Sequence, residues 1–185
     1  EADVRRTRLA RAATFASALA PSLTTPQSPA LAALISAADD FVVLTTSWQR
    51  AEEARRRIEA VLAGLGLRLH PDKTRIVCLK GGEDGFDFLG FHHRMTPSKW
   101  GDRRYLSKWP SPRAMSSIRS KVRDHTHRRF ALRDLRDVVG DLNPVLRGWG
   151  AYFRYGNSNR KFASIDSYVH WRMAKLASVT TWRAT

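Results

Sequence analysis

Residues 35–44 read ISAADDFVVL, with Asp39 and Asp40 side by side immediately before Phe41-Val42-Val43-Leu44. An unbroken run of Phe, Val and Leu suits a buried strand over Phe41 to Thr45, because branched and aromatic side chains pack well on a pleated surface. The two aspartates at its entrance admit two readings. Adjacent aspartates commonly build a turn, their carboxylates bonding to nearby backbone, and for the dipeptide alone this is the commoner reading. Alternatively the pair sits at a hairpin tip and offers hard oxygen ligands to a divalent cation. Successive strand residues point to opposite faces, so one carboxylate would face the metal and the other lie at its edge.

Working outward, residues 48–65 carry an amphipathic helical pattern: Ile58, Val61, Leu62 and Leu65 fall at i, i+3, i+4 and i+7. Ser47 is placed to cap its start, Glu52 and Glu53 lie in its early turns, and Gly64 and Gly66 close it. Two short extended segments follow, Leu67 to Leu69 and Arg75 to Leu79, joined through His70-Pro71-Asp72-Lys73-Thr74. After the turn Gly81 to Gly85, the residues Phe86 to Phe91 read as a further strand. The central third is therefore β-α-β-β in pattern. Residues 1–36, rich in Ala, Ser, Thr and Arg and punctuated by Pro21, Pro26 and Pro29, show only one weakly helical piece around 4–20 and are poorly defined.

From about residue 112 the apolar period becomes 3.6. Ser111-Pro112 starts a basic helix to about Phe130, carrying Arg113, Arg119, Lys121, Arg123, Arg128 and Arg129. A second helix begins near Arg133 and meets Asn143-Pro144, which reads as an N-cap followed by a proline at a first helical position. The helix after it places Val145, Leu146, Trp149, Tyr152 and Phe153 on one face, and Gly156-Asn157-Ser158-Asn159 breaks it. A last helix follows with Phe162, Ile165, Val169, Met173 and Leu176 at helical spacing. The expected class is α+β, a small antiparallel β-α-β-β part followed by an α-helical bundle.

The 185 residues can bury one sizeable core or two small ones, and no run of about 18 apolar residues suggests a membrane span. Arg5, Arg6, Arg8 and Arg11 before an Ala-rich stretch imitate a targeting segment, but Ser17, Pro21 and Ser22 interrupt it, so export is not expected. Cys78 is the single cysteine, which excludes an internal disulfide and a thiolate zinc site and fits a cytoplasmic location. His92-His93 and His125/His127 lack ligand spacing for zinc.

A net charge of +15 points to a polyanionic partner, and its distribution is informative. Residues 39–90 hold 8 Lys and Arg against 9 Asp and Glu, whereas residues 91–185 hold 20 against 6. Five of the six tryptophans, Trp100, Trp109, Trp149, Trp171 and Trp182, share that basic half. Aromatic rings among cations can stack on unpaired bases, although a core position is the commoner role of any one Trp.

Four stretches taken together, Ala38-Asp39-Asp40-Phe41 to Leu44, Leu65-Gly66-Leu67-Arg68-Leu69-His70-Pro71-Asp72-Lys73-Thr74, Gly85 to Phe91, and Asn143 to Phe153, resemble in sequence and order the C-terminal part of group II intron-encoded reverse transcriptase/maturases. The resemblance covers about 38–176. It implies a partial reverse transcriptase palm with a primer-grip hairpin over 37–108 and a maturase-specific thumb over 109–180. It implies that Asp39 and Asp40 match the Mg²⁺-binding pair of the palm, Lys73 the lysine that assists proton transfer to pyrophosphate, and Phe88, Leu89, Gly90 and Phe91 the primer grip. Intron RNA and an RNA–DNA template-primer are the implied partners. Arg113, Arg119, Lys121, Arg123, Arg128, Arg129, Arg147, Arg154, Arg160 and Lys161 are the candidate RNA contacts. The sequence leaves the oligomeric state open.

Two departures bear on activity. The family has Tyr before Ala-Asp-Asp, where this chain has Ala37, and upstream only Glu1 and Asp3 are acidic, neither within an apolar strand. The expectation is a truncated reverse transcriptase/maturase that binds RNA, with RNA-directed DNA polymerase activity lost in this chain alone and Mg²⁺ needed only if it survives. The alternatives are a non-enzymatic RNA-binding maturase or splicing factor, and a polymerase active only when a missing fingers and palm segment is supplied.

Overall fold

The computed structural model describes residues 33–37, 40–99, 101 and 103–183, in two compact units divided between Asp84 and Gly85. The weak helical piece expected at 4–20 lies outside the described residues. The fold is α+β, as the sequence indicated.

In the first unit, β1 (Ala33–Ala37) pairs antiparallel with β2 (Asp40–Leu44). The register runs from Ala33 opposite Leu44 to Ala37 opposite Asp40, so only residues 38 and 39 separate the strands. Helix α1 (Trp48–Gly64) follows, its start capped by Ser47, whose Oγ accepts from the Arg50 N–H at 3.3 Å. Ile58 and Leu62 form the small core, against which Phe41, Val43, Leu67 and Leu69 pack. Phe41 and Val43 are two residues apart, which puts both on one face of β2.

The segments Leu67 to Leu69 and Arg75 to Leu79 are not strands. Leu67 and Leu69 instead pack on α1, and the chain turns where the His70 carbonyl accepts from the N–H groups of Lys73 and Thr74 at 3.2 and 3.0 Å. Their apolar alternation reflects burial against a helix, which a period of two cannot distinguish from ladder pairing.

The second unit opens with a three-stranded antiparallel sheet, β3 (Gly85–Phe88), β4 (Phe91–Pro97) and β5 (Arg104–Pro110), in that order. Strand β5 was not legible in sequence: its RYLSKWP mixes cations with apolar residues, and Tyr105 and Leu106 both remain exposed. The sheet belongs to the same compact unit as the helices that follow.

Ser111 caps α2 (Pro112–His125), its Oγ accepting from the Ala114 N–H at 3.2 Å, with Pro112 in the first turn. The helix ends at His125, short of the expected Phe130. Thr126 closes it, and Arg128–Phe130 forms a separate 3₁₀ turn. Asp134 caps α3 (Leu135–Phe153) through its carboxylate and the Arg136 N–H at 2.8 Å. Helix α4 (Asn159–Arg183) completes the unit.

The expected helix boundary at Asn143-Pro144 is absent: α3 runs through Pro144. Pro144 removes the bond that would reach the Gly140 carbonyl, yet the helix continues through it. Val138 and Leu135 sit in a core with Ala131, Leu176, Phe130 and Met173. Val145, Leu146 and Trp149 sit in another with Met115, Ile118, Ile165 and Val169. Both cores include residues of α4, so one long helix serves as the shared wall of two packed clusters.

Candidate nucleic-acid interface

Of the residues singled out for metal chemistry, Asp39 lies outside the described residues and Asp40 is the first residue of β2. Lys73 stands exposed in the turn after Pro71. Among the described residues no group of three or more His, Cys, Asp or Glu is arranged to hold a metal ion.

The residues proposed as a primer grip do form a hairpin. Phe88 pairs with Phe91, leaving Leu89-Gly90 as a two-residue turn with φ of 49° and 78°. Two consecutive positive φ values give the type I′ geometry that matches strand twist. The turn is anchored on the C-terminal end of α3. Tyr152 donates its hydroxyl to the Leu89 carbonyl at 2.9 Å, and the Ser111 N–H donates to the Gly90 carbonyl at 2.8 Å. A Cβ on Gly90 would stand 3.4 Å from Phe153 Cζ, so the glycine answers to its backbone angle and to this aromatic neighbour.

Phe91 is an anchor as well. Its ring lies 4.7 Å edge-on from Phe153 and 5.6 Å from Tyr152, with the Lys108 ammonium 5.3 Å above it. The α3–α4 connection closes over the same place: Asn157 donates its N–H to the Lys108 carbonyl at 2.6 Å and accepts from the Lys108 N–H through Oδ1 at 3.3 Å. Of the four grip candidates, Leu89 and Gly90 face solvent, while Phe88 and Phe91 are half-buried.

On the sheet, His92 Nδ1 lies 2.6 Å from Asp87 Oδ1, and His93 stacks on Phe86 at 4.9 Å. Burial, then the nearby Lys108 and His92, push His93 below its ordinary pKa against a smaller opposing pull from Asp87.

The candidate RNA contacts divide into two groups. Arg113, Lys121, Arg123, Arg128, Arg129, Arg147, Arg154 and Arg160 are exposed. Arg119 and Lys161 are half-buried, and Arg119 is engaged internally: Nη2 donates to Ser164 Oγ at 2.9 Å and the guanidinium lies over Tyr168. Arg129 lies over Phe130 and Arg154 over Tyr155, so several cations ride on aromatic faces. Among the described residues from Pro112 onward, Arg133 pairs with a carboxylate, Asp141 Oδ2 at 2.9 Å.

Sequence reading named Trp171 but missed the group gathered around it on α4. Arg172 donates from Nε to Thr126 Oγ1 at 2.9 Å and from Nη2 to the Thr126 carbonyl at 2.8 Å, fastening α4 to the C-terminus of α2. Trp171 is 53% exposed, with Tyr168, Arg172 and Lys175 around it. The helical spacing of Tyr168, Trp171, Arg172 and Lys175 was the available signal, overshadowed by the apolar stripe of the same helix.

Residues 115–183 match the family model for the group II intron, maturase-specific domain. The matched stretch begins within α2 and covers the 3₁₀ turn, α3 and α4, so the resemblance read from the motifs holds for the helical region. No curated protein matches the chain. No described helix is long and apolar enough to cross a membrane.

Proposed function

We propose that this chain binds group II intron RNA through the exposed basic surface of its helices and assists that RNA's folding or splicing. The supporting observation is the coincidence of the maturase-specific match with excess positive charge: residues 115–183 hold 14 Lys and Arg against five Asp and Glu. Cations free of carboxylate partners release counterions when they meet phosphates, which makes binding favourable and salt-dependent.

The test is Kd for a group II intron RNA against a scrambled RNA of equal length, across a range of salt. Tighter binding to the intron RNA, steeply weakened by salt, is expected. The charge reversals Arg123→Glu and Arg128→Glu together should weaken it about ten-fold or more. Equal affinity for both RNAs would overturn the intron-directed reading.

The same proposal holds that the chain by itself does not extend a primer, because Ala37 stands where the family has its tyrosine. Were Mg²⁺ bound, Asp39 and Asp40 would be its ligands, and the ion would supply charge stabilisation for phosphoryl transfer. Primer extension with Mg²⁺ that disappears in Asp39→Ala would overturn this part. An RNA–DNA template-primer is a further proposed ligand of the basic helices, measurable in the same binding format.

A further inference from the structure

We infer that Trp171 is a stacking platform for an unpaired nucleobase, and that it gives the basic helical surface a preference for single-stranded or looped RNA over duplex. This rests on the RNA-binding reading and names the form of RNA that one part of the surface takes.

The argument begins with α4 itself. Its core-facing residues are Ile165, Val169, Met173 and Leu176, all packed in the two helical cores. At 100° per residue, Tyr168, Trp171 and Lys175 fall on a neighbouring stripe turned away from those cores. Trp171 consequently leaves 53% of its surface in water, although a Trp normally buries most of its large apolar area.

Cations frame the ring. The Lys175 ammonium lies 5.4 Å and the Arg172 guanidinium 5.9 Å from the Trp171 ring centroid, and Tyr168 stands 6.0 Å away at an interplanar angle of 33°. The Arg172 side chain is held by Thr126, and Arg119 is held by Ser164 over the Tyr168 ring, so much of the arrangement is fixed before any ligand arrives. The single acidic residue of α4, Asp166, falls on the opposite flank by helical spacing. A half-exposed aromatic ring with cations over it, Arg172 among them held by Thr126, and with no carboxylate on its stripe, complements a base and its adjoining phosphates. Bases in a duplex hide their faces in the stack, so only an unpaired base can use the ring.

The test uses the full chain and two labelled probes, a single-stranded RNA of about 20 nucleotides and the perfect duplex of the same sequence, a length spanning several stacking sites. Trp171→Leu keeps an apolar side chain of helical propensity but removes the π face. It should weaken single-strand binding about five-fold or more and change duplex binding less than about two-fold, with the salt slope unchanged. Trp171→Phe should restore most of the loss, while Lys175→Gln should weaken both probes and lower the salt slope by about one. Thermal melts of the variants matching the wild type establish that folding is intact. Equal losses on both probes, or an unchanged single-strand affinity in Trp171→Leu, would overturn the platform alone. A wild-type chain that binds neither probe would overturn the RNA reading and the platform with it.

Discussion

Leu89 and Gly156 occupy positions where the backbone dictates the residue more than the side chain does. Leu89 is the only described non-glycine residue with positive φ, at 49°, a conformation that costs an L-residue roughly 1 kcal/mol. Leu89→Asn, the residue preferred at this place in a type I′ turn, should raise stability by about 0.5–1 kcal/mol in a denaturant melt. No gain would indicate that the turn is held otherwise. At Gly156 a Cβ would stand 2.6 Å from the Lys108 carbonyl oxygen and 3.3 Å from Phe91 Cε1, where the chain crosses β5. Gly156→Ala should therefore cost about 1–3 kcal/mol, measured in the same melt. His93 supplies a pH dependence. Its folded pKa lies below the ordinary value of 6.5, so the unfolded chain binds the proton first. Stability from this site is full above about 6.5 and falls as pH drops toward the folded pKa. Thermal melts at descending pH should show this decline, and His93→Gln should flatten it. Local pattern read Phe86 to Phe91 as one strand, whereas the chain turns at Leu89-Gly90, and the docking of that turn on Tyr152 and Phe153 joins residues more than sixty positions apart that no local pattern could relate.

At the scale of elements, Pro144 separates local preference from tertiary packing. Read locally, Asn-Pro begins a helix, and there proline is compatible and even favoured. In the folded chain the same proline sits inside a 19-residue helix, where it forgoes a hydrogen bond. Pro144→Ala should consequently stabilise the protein by about 1–3 kcal/mol in a denaturant melt. A neutral or destabilising result would favour two separate helices. The C-terminus of α2 teaches a similar lesson. Basic residues continue to Arg129, yet the helix stops at His125, where Thr126 caps it and Arg172 binds the freed backbone. Strand β5 has the converse history: it has little intrinsic strand pattern and exists because seven consecutive residues pair with β4.

For the whole molecule, the compact unit from Gly85 onward holds 20 Lys and Arg against seven Asp and Glu, together with both helical cores. A fragment of residues 85–185 should unfold cooperatively by thermal melt and keep RNA affinity within about three-fold of the full chain, since most of the excess positive charge lies in it. A non-cooperative melt, or a larger loss, would show that the first unit contributes to folding or binding. By itself, the sequence determined the α+β class, the helix α1, the breaks at Gly156 to Asn159 and the segregation of charge. These follow from hydrophobic period, turn chemistry and composition, all of which are local. It also carried the maturase resemblance, because that depends on motif order. Only the tertiary structure decided that Leu67 and Leu69 pack on a helix, that α3 passes through Pro144, and that Arg119 is tied to Ser164 while Trp171 is left in water. Each of those outcomes depends on what a residue meets across the fold, and packing energy there outweighs the small preferences that a chain expresses locally.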